Sequence, residues 1–153
     1  MESLNLIKND PWLAPYKEAI EGRYQYVVNK EKSLTGNGKQ TLSEMASGYL
    51  YFGLHKTKNG WVFREWAPNA TAVYLIGTFN EWKKDDRYKL KRLGNGIWEI
   101  TLAEDLLHHE DLFKLLVEWE GGSGERIPAW IRRVVQDENT KIFSAQVWNP
   151  QQP

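Results

Sequence analysis

From Asp10-Pro11 onward the apolar positions recur at three- and four-residue steps. Tyr16, Ile20, Arg23, Tyr24 and Val27 fall on one stripe, with Lys17, Glu18 and Glu21 between them. That period predicts an amphipathic helix that needs a surface to lie on. Gly36-Asn37-Gly38 breaks the pattern. Thr41-Leu42-Ser43-Glu44 then has the spacing by which a hydroxyl and a carboxylate satisfy each other's orphan backbone donors, so a short second helix is predicted, ending near Gly48.

From Tyr49 the period falls to two. Six or seven short runs rich in aromatic and β-branched residues follow, separated by turn residues. The predicted strands are Tyr49 to Lys56, Trp61 to Trp66, Ala72 to Gly77, Tyr88 to Leu93, Ile97 to Leu102, Leu112 to Trp119 and Ile142 to Trp148. Lys58-Asn59-Gly60 and Gly94-Asn95-Gly96 are hairpin turns by chemistry, because Asn and Gly tolerate positive φ, and each makes its flanking strands antiparallel neighbours. In the fifth strand Trp98, Ile100 and Leu102 share one face; in the sixth, Phe113, Leu115 and Val117 oppose Lys114 and Leu116. Strands do not alternate with helices, so a parallel sheet or a (β/α)8 barrel is unsupported. The reading is mostly β: an immunoglobulin-like antiparallel β-sandwich preceded by a short α-helical segment. Gly121-Gly122-Ser123-Gly124 reads as a flexible loop, and the tail from Trp148 to Pro153 as a domain edge.

Charge changes the picture mainly by exclusion. Twenty Lys+Arg balance twenty Asp+Glu, which removes the broad attraction that nucleic acid or an anionic membrane needs and suits a neutral ligand. The absence of cysteine excludes disulfides, zinc-thiolate sites and a thiol nucleophile, and fits a cytoplasmic setting. No stretch approaches the ~20 apolar residues of a membrane span, and no basic patch with an apolar run opens the chain. Eight Trp, seven Tyr and five Phe exceed what a core of this size requires, so some rings are expected to face solvent.

The strongest candidate for chemistry is Gly77-Thr78-Phe79-Asn80-Glu81-Trp82-Lys83, directly after the third strand. An exposed indole there can stack on the aliphatic face of a pyranose while amides and amines bond its hydroxyl rim. Spacing alone leaves open that Trp82 instead caps the core, as Trp61, Trp66 and Trp98 are expected to do. Lys114 projects opposite Phe113 and Leu115, and is either a ligand contact or a solvated strand lysine. His108-His109 with Glu110 and Asp111 does not make a metal site, since adjacent histidines on an extended chain diverge and no third ligand is placed. The acidic pairs Asp85-Asp86, Glu104-Asp105 and Glu110-Asp111 read as surface charge, and the glycine run lacks the ending that cradles phosphate. No catalytic residue and no cofactor is expected.

Asp10-Pro11-Trp12-Leu13-Ala14-Pro15-Tyr16 resembles the leader of eukaryotic-type 1,4-α-glucan (glycogen) branching enzymes. Gly48 to His55 resembles the start of their sandwich, and Arg64-Glu65-Trp66-Ala67-Pro68-Asn69-Ala70 their Glu-Trp-Ala-Pro element. Val73 to Trp82 is similar to the Gly-x-Phe-Asn-x-Trp signature of family 48 carbohydrate-binding modules. The resemblance implies that Trp82 stacks on glucose and Lys114 bonds its hydroxyls. Asn80 belongs to the same set of glucan-binding candidates, more as a turn-former than as a contact. A second tryptophan is usual after the lysine strand; Trp119 and Trp130 are the nearest here, with Arg126 close to the expected place. Residues 1–47 would be a helical leader, 48–150 the module, and 151–153 the start of a linker to a glycoside hydrolase family 13 barrel. That barrel needs ~250 residues of scaffold, so this chain is expected to be non-catalytic. It would bind α-1,4-glucan (glycogen, maltooligosaccharide) and contact the barrel within the full enzyme. A purely structural docking domain is the alternative.

Overall fold

Asparagine and glycine decide where the strands turn in the computed structural model, which describes residues 5–150; the expected linker at 151–153 lies outside the described residues. Contacts divide the chain into two units, Met1–Ser47 and Gly48–Pro153.

The first unit holds α1 (Asn5–Asn9), a 3-10 turn (Pro11–Tyr16), α2 (Lys17–Leu34) and α3 (Leu42–Met45). Asp10 caps the 3-10 turn through Trp12 N, and Pro11 occupies its first position, where no backbone donor is required. Thr41 and Glu44 form the reciprocal capping box that their spacing predicts, with Glu44 N donating to Thr41 Oγ1 at 3.2 Å and Thr41 N to Glu44 Oε2 at 2.7 Å. Tyr24 and Val27 of the α2 stripe are exposed.

The second unit opens with a helical turn, α4 (Gly48–Tyr51), where the sequence suggests strand. One sheet follows the order β1 (Gly53–Thr57), β2 (Gly60–Trp66), β5 (Ile97–Leu102), β4 (Lys91–Gly94); the other joins β3 (Ala72–Gly77), β6 (Leu112–Trp119), β9 (Phe143–Gln146) and β8 (Val134–Gln136), with β7 (Gly122–Arg126) also on β6. All pairings are antiparallel, and the immunoglobulin-like sandwich behind a helical segment stands. Both predicted hairpins form, closing at Thr57↔Gly60 and Gly94↔Ile97.

The core lies between the sheets. Phe63 and Phe113 are fully buried and meet edge to face with centroids 6.1 Å apart, surrounded by Leu75, Trp98, Ile100 and Leu115. The faces assigned to β5 and β6 hold, with Trp98, Ile100 and Leu102 buried and Lys114 outside.

Two readings are corrected. The glycine run at 121–124 is not a flexible loop: it turns at Gly121 (φ 85°) and continues as β7 against Leu115–Trp119. β9 pairs with β6 only at Leu112 and Phe113, so the remaining backbone groups on that side of β6 need another partner, and 122–126 supplies it. Trp66 does not cap the core; it is 57% exposed. Alternation along β2 sends Trp61, Phe63 and Glu65 inward and turns Trp66 out. Glu65 is buried, its two oxygens accepting from Trp66 N (3.0 Å) and Ala129 N (2.9 Å). Burial pushes its carboxyl above the ordinary value, and the two N–H bonds oppose that shift.

Candidate functional site

β3 ends at Gly77, where the backbones of β3 and β6 approach so closely that a Cβ would lie 2.3 Å from Leu112 O. Only glycine fits. The chain then makes a 3-10 turn (Thr78–Asn80) and passes through two left-handed residues, Glu81 (φ 55°) and Trp82 (φ 60°). Asn80 holds this loop together: its Oδ1 accepts from Gly77 N (2.9 Å), and its Nδ2 donates to Lys83 O (2.8 Å) and Leu75 O (3.3 Å). Trp82 N returns to Gly77 O at 2.9 Å. Phe79 packs inward, edge to face on Tyr88 at 5.0 Å. With one aromatic of the loop anchored inside, the other is left outside, and Trp82 is 37% exposed.

Lys114 comes to the same place from β6, where Ile76 pairs with it in register. Its Nζ lies 5.6 Å from the centroid of the Trp82 ring and 2.9 Å from Glu125 Oε2. The side chain is only 12% exposed, so the ammonium sits at the floor of a hollow of about 330 Å³ walled by Trp82, Thr78, Glu125, Thr140 and Ile142. Asp137 stands at its rim; hydrogen bonds from Thr140 N (2.7 Å), Thr140 Oγ1 (2.8 Å) and Asn139 N (3.0 Å) hold its carboxyl below the usual range, so it is a charged acceptor at neutral pH.

The structure therefore brings Trp82, Lys114 and Asn80 together, with Asn80 committed to shaping the loop. Trp119 is elsewhere. It stands five residues beyond Lys114 on β6, about 17 Å along the strand, and in the other alternation row, with the Arg126 guanidinium 5.4 Å from its ring. Sequence reasoning missed Glu125, Asp137, Thr140 and Ile142, which reach the hollow from β7 and the β8–β9 hairpin. The Asp137-x-x-Thr140 turn was the available signal, but nothing local states which strand it lies beside.

Indole N–H groups separate two kinds of tryptophan in the sandwich. Those of Trp61, Trp66 and Trp98 donate to the carbonyls of Glu104 (3.3 Å), Asn95 (3.0 Å) and Ala67 (2.9 Å). Those of Trp82, Trp119, Trp130 and Trp148 donate to no protein atom among the described residues. The first group is fixed by its polar edge as structure; the second, 37–44% exposed, has its N–H groups open to solvent or to a ligand. His108 and His109 serve locally, the first 3.5 Å from Asp111 Oδ2 and the second accepting from Asn149 N at 3.2 Å.

Residues 51–131 match the family described as carbohydrate-binding module 48 (isoamylase N-terminal domain). Over 97% of its length the chain is 37% identical to the 1,4-alpha-glucan-branching enzyme of Dictyostelium discoideum and 35% identical to that of Aspergillus oryzae, covering 23% and 22% of those proteins. It thus spans less than a quarter of the length of these relatives. Among solved structures, a pullulanase from Bacillus acidopullulyticus aligns with a TM-score of 0.50 at 18% identity, over 64% of this chain and 12% of that one. A pullulanase from Anoxybacillus sp. LM18-11, complexed with maltotetraose, gives a TM-score of 0.50 at 21% identity, over 64% and 14%. At such identities the likeness shows the fold.

Proposed function

We propose, because this chain belongs to the carbohydrate-binding module 48 family, that it binds α-1,4-linked glucan weakly in the hollow beside Trp82. In this reading it is the non-catalytic amino-terminal part of a 1,4-α-glucan branching enzyme, which it also braces against the catalytic barrel. The observation that carries the binding reading is the pairing of a half-exposed indole with an unengaged N–H and an ammonium 5.6 Å from its ring over an open concavity. The flat ring takes the C–H face of a glucose unit. Lys114 donates to its hydroxyls, and Asp137 and Thr140 stand where further hydroxyls would come.

Affinity is modest by this account. One ring contributes ~0.5–1.5 kcal/mol against the cost of ordering a flexible chain, which gives dissociation constants of roughly tens of micromolar to millimolar. Titration with maltoheptaose is expected to change tryptophan fluorescence in the intact chain and to do so far less in Trp82→Ala. An unchanged signal at millimolar sugar, the same in both proteins, refutes binding at Trp82.

A second reading, a docking domain with no glucan affinity, is favoured by one observation: Trp119 does not reach the hollow, so Trp82 is its only aromatic wall among the described residues. Capture of the separately expressed remainder of such an enzyme, with no retention on glycogen, would decide for it.

A further inference from the structure

We infer that the hollow at Trp82 is one end of a continuous furrow for extended glucan, which crosses the outer face of the second sheet to a second pair of indoles, Trp130 and Trp148. This rests on the glucan reading above and adds to it a length of ligand and a second anchoring point.

Three hollows adjoin. The one at Trp82 shares Leu112, Asp137, Ile142 and Ser144 with a second of about 540 Å³, and this in turn shares Gln146 with a third of about 240 Å³. Four shared residues join the first two; between the second and the third stands the Gln146 side chain, which accepts from Arg133 Nε at 2.6 Å and donates to Glu110 O at 3.3 Å, so the furrow crosses over it. The strand register explains the course: Lys114 and Leu112 on β6 and Ser144 and Gln146 on β9 take the face away from the core while Phe113 and Ala145 pair inside, Ser144 being buried on that face among its neighbours, and the alternation carries on to the exposed Trp148. Ser144 to Trp148 is about 13 Å by strand rise, a distance for several sugar units and not for one.

The far end has the groups that the near end has. Trp130 and Trp148 are 41% and 44% exposed, and their indole N–H groups are unengaged among the described residues. Phe52 stacks on Trp130 with centroids 5.8 Å apart, and the Arg133 guanidinium lies 4.0 Å above the Trp148 ring while donating to Gln146 Oε1 at 2.6 Å. Both rings are thus held before any ligand arrives, and little side-chain freedom is lost on binding. The Arg132 guanidinium and the Asn149 amide line this end and hydrogen-bond to no protein group among the described residues. His55 Nε2 is taken up by Phe52 O at 2.8 Å. The middle hollow has polar walls, Gln136, Glu138 and Asn139 among them, suited to hydroxyl edges. Rings at both ends with a polar middle fit a neutral polyhydroxylated chain that lies flat at its ends. A single contact cannot discriminate chain length in this way; two contacts on one ligand can, because the second is intramolecular once the first is made.

Calorimetric titration of the 153-residue chain with maltotriose and with maltoheptaose tests the furrow. The expected result is a preference for maltoheptaose of about tenfold or more, equivalent to about 1.4 kcal/mol. Trp130→Ala, and separately the double variant Arg132→Ala with Asn149→Ala, should reduce that ratio to the few-fold that extra binding registers give a single site. The part of maltotriose binding that is lost in Trp82→Ala should persist in both. The double variant removes no packed side chain, so it keeps the test valid should Trp130→Ala unfold. If both variants keep the full ratio, or if the unaltered chain shows only a few-fold preference while maltotriose still binds through Trp82, the furrow is overturned and the site at Trp82 stands. Absence of any heat with either sugar would overturn both.

Discussion

Lys114 has one ammonium and two neighbours that want it: the π-face of Trp82 and the carboxylate of Glu125. Glu125 is 52% exposed, and an ion pair so open to water contributes about 0–1 kcal/mol to stability. In the proposed glucan-binding reading, its larger effect is on what the ammonium can offer a sugar. Glu125→Gln is therefore expected to leave the urea midpoint nearly unchanged and to raise maltooligosaccharide affinity a few-fold in a fluorescence titration. A fall in affinity would instead make Glu125 an acceptor for the sugar. At this scale the sequence is informative where a motif fixes a turn and silent where parity is inverted. Asn80 is legible, because an amide three residues after Gly77 can close the loop on itself. Trp66 is the opposite case: a buried acid, Glu65, beside an exposed indole reverses the hydropathy that alternation is read from.

Among the elements, the buried carboxylate of β2 reaches across to the segment at Ala129, and its ionisation bears on stability. The folded-state value of Glu65 is raised, so between its unfolded value, near 4.5, and the higher folded one the native chain holds a proton that the unfolded chain has released. Stability from this group is complete below the unfolded value and is lost as pH rises through the folded one. Glu65→Gln sets one amide N–H against a backbone N–H, and a cost of about 1–3 kcal/mol is expected. Denaturant midpoints from about pH 4 to about pH 7 should show the advantage of the parent chain over Glu65→Gln shrinking as pH rises; a constant or growing gap would mean that burial does not govern this carboxyl. β5 and the first half of β6 were readable from their alternation, and β3 from its unbroken apolar run, buried along its whole length. β7 and β8 were not, because their residues are chosen by the vacant edges of β6 and β9, which no local pattern announces. The residues they deliver to the hollow were hidden for the same reason.

For the molecule as a whole, the core cluster runs from Trp61 to Val147 and lies entirely within Gly48–Pro153. Of the helices before it, α1 and α3 have five and four residues, too short to persist in water by themselves. A fragment of residues 48–153 is therefore expected to unfold in one cooperative transition, followed by near-ultraviolet circular dichroism, and to keep the fluorescence response to maltoheptaose. A broad, non-cooperative melt would show that the core needs the leader. The place of β6 has one more consequence. It is flanked by β3 along one edge and by β9 and β7 in succession along the other, and it carries Lys114. A domain that tethers its bearer to a polymer is pulled whenever the polymer drifts. Under such tension the outlying β8 and β7 would peel away first, and the ribbon through which the proposed grip on sugar runs, stitched on both sides, would be the last to let go.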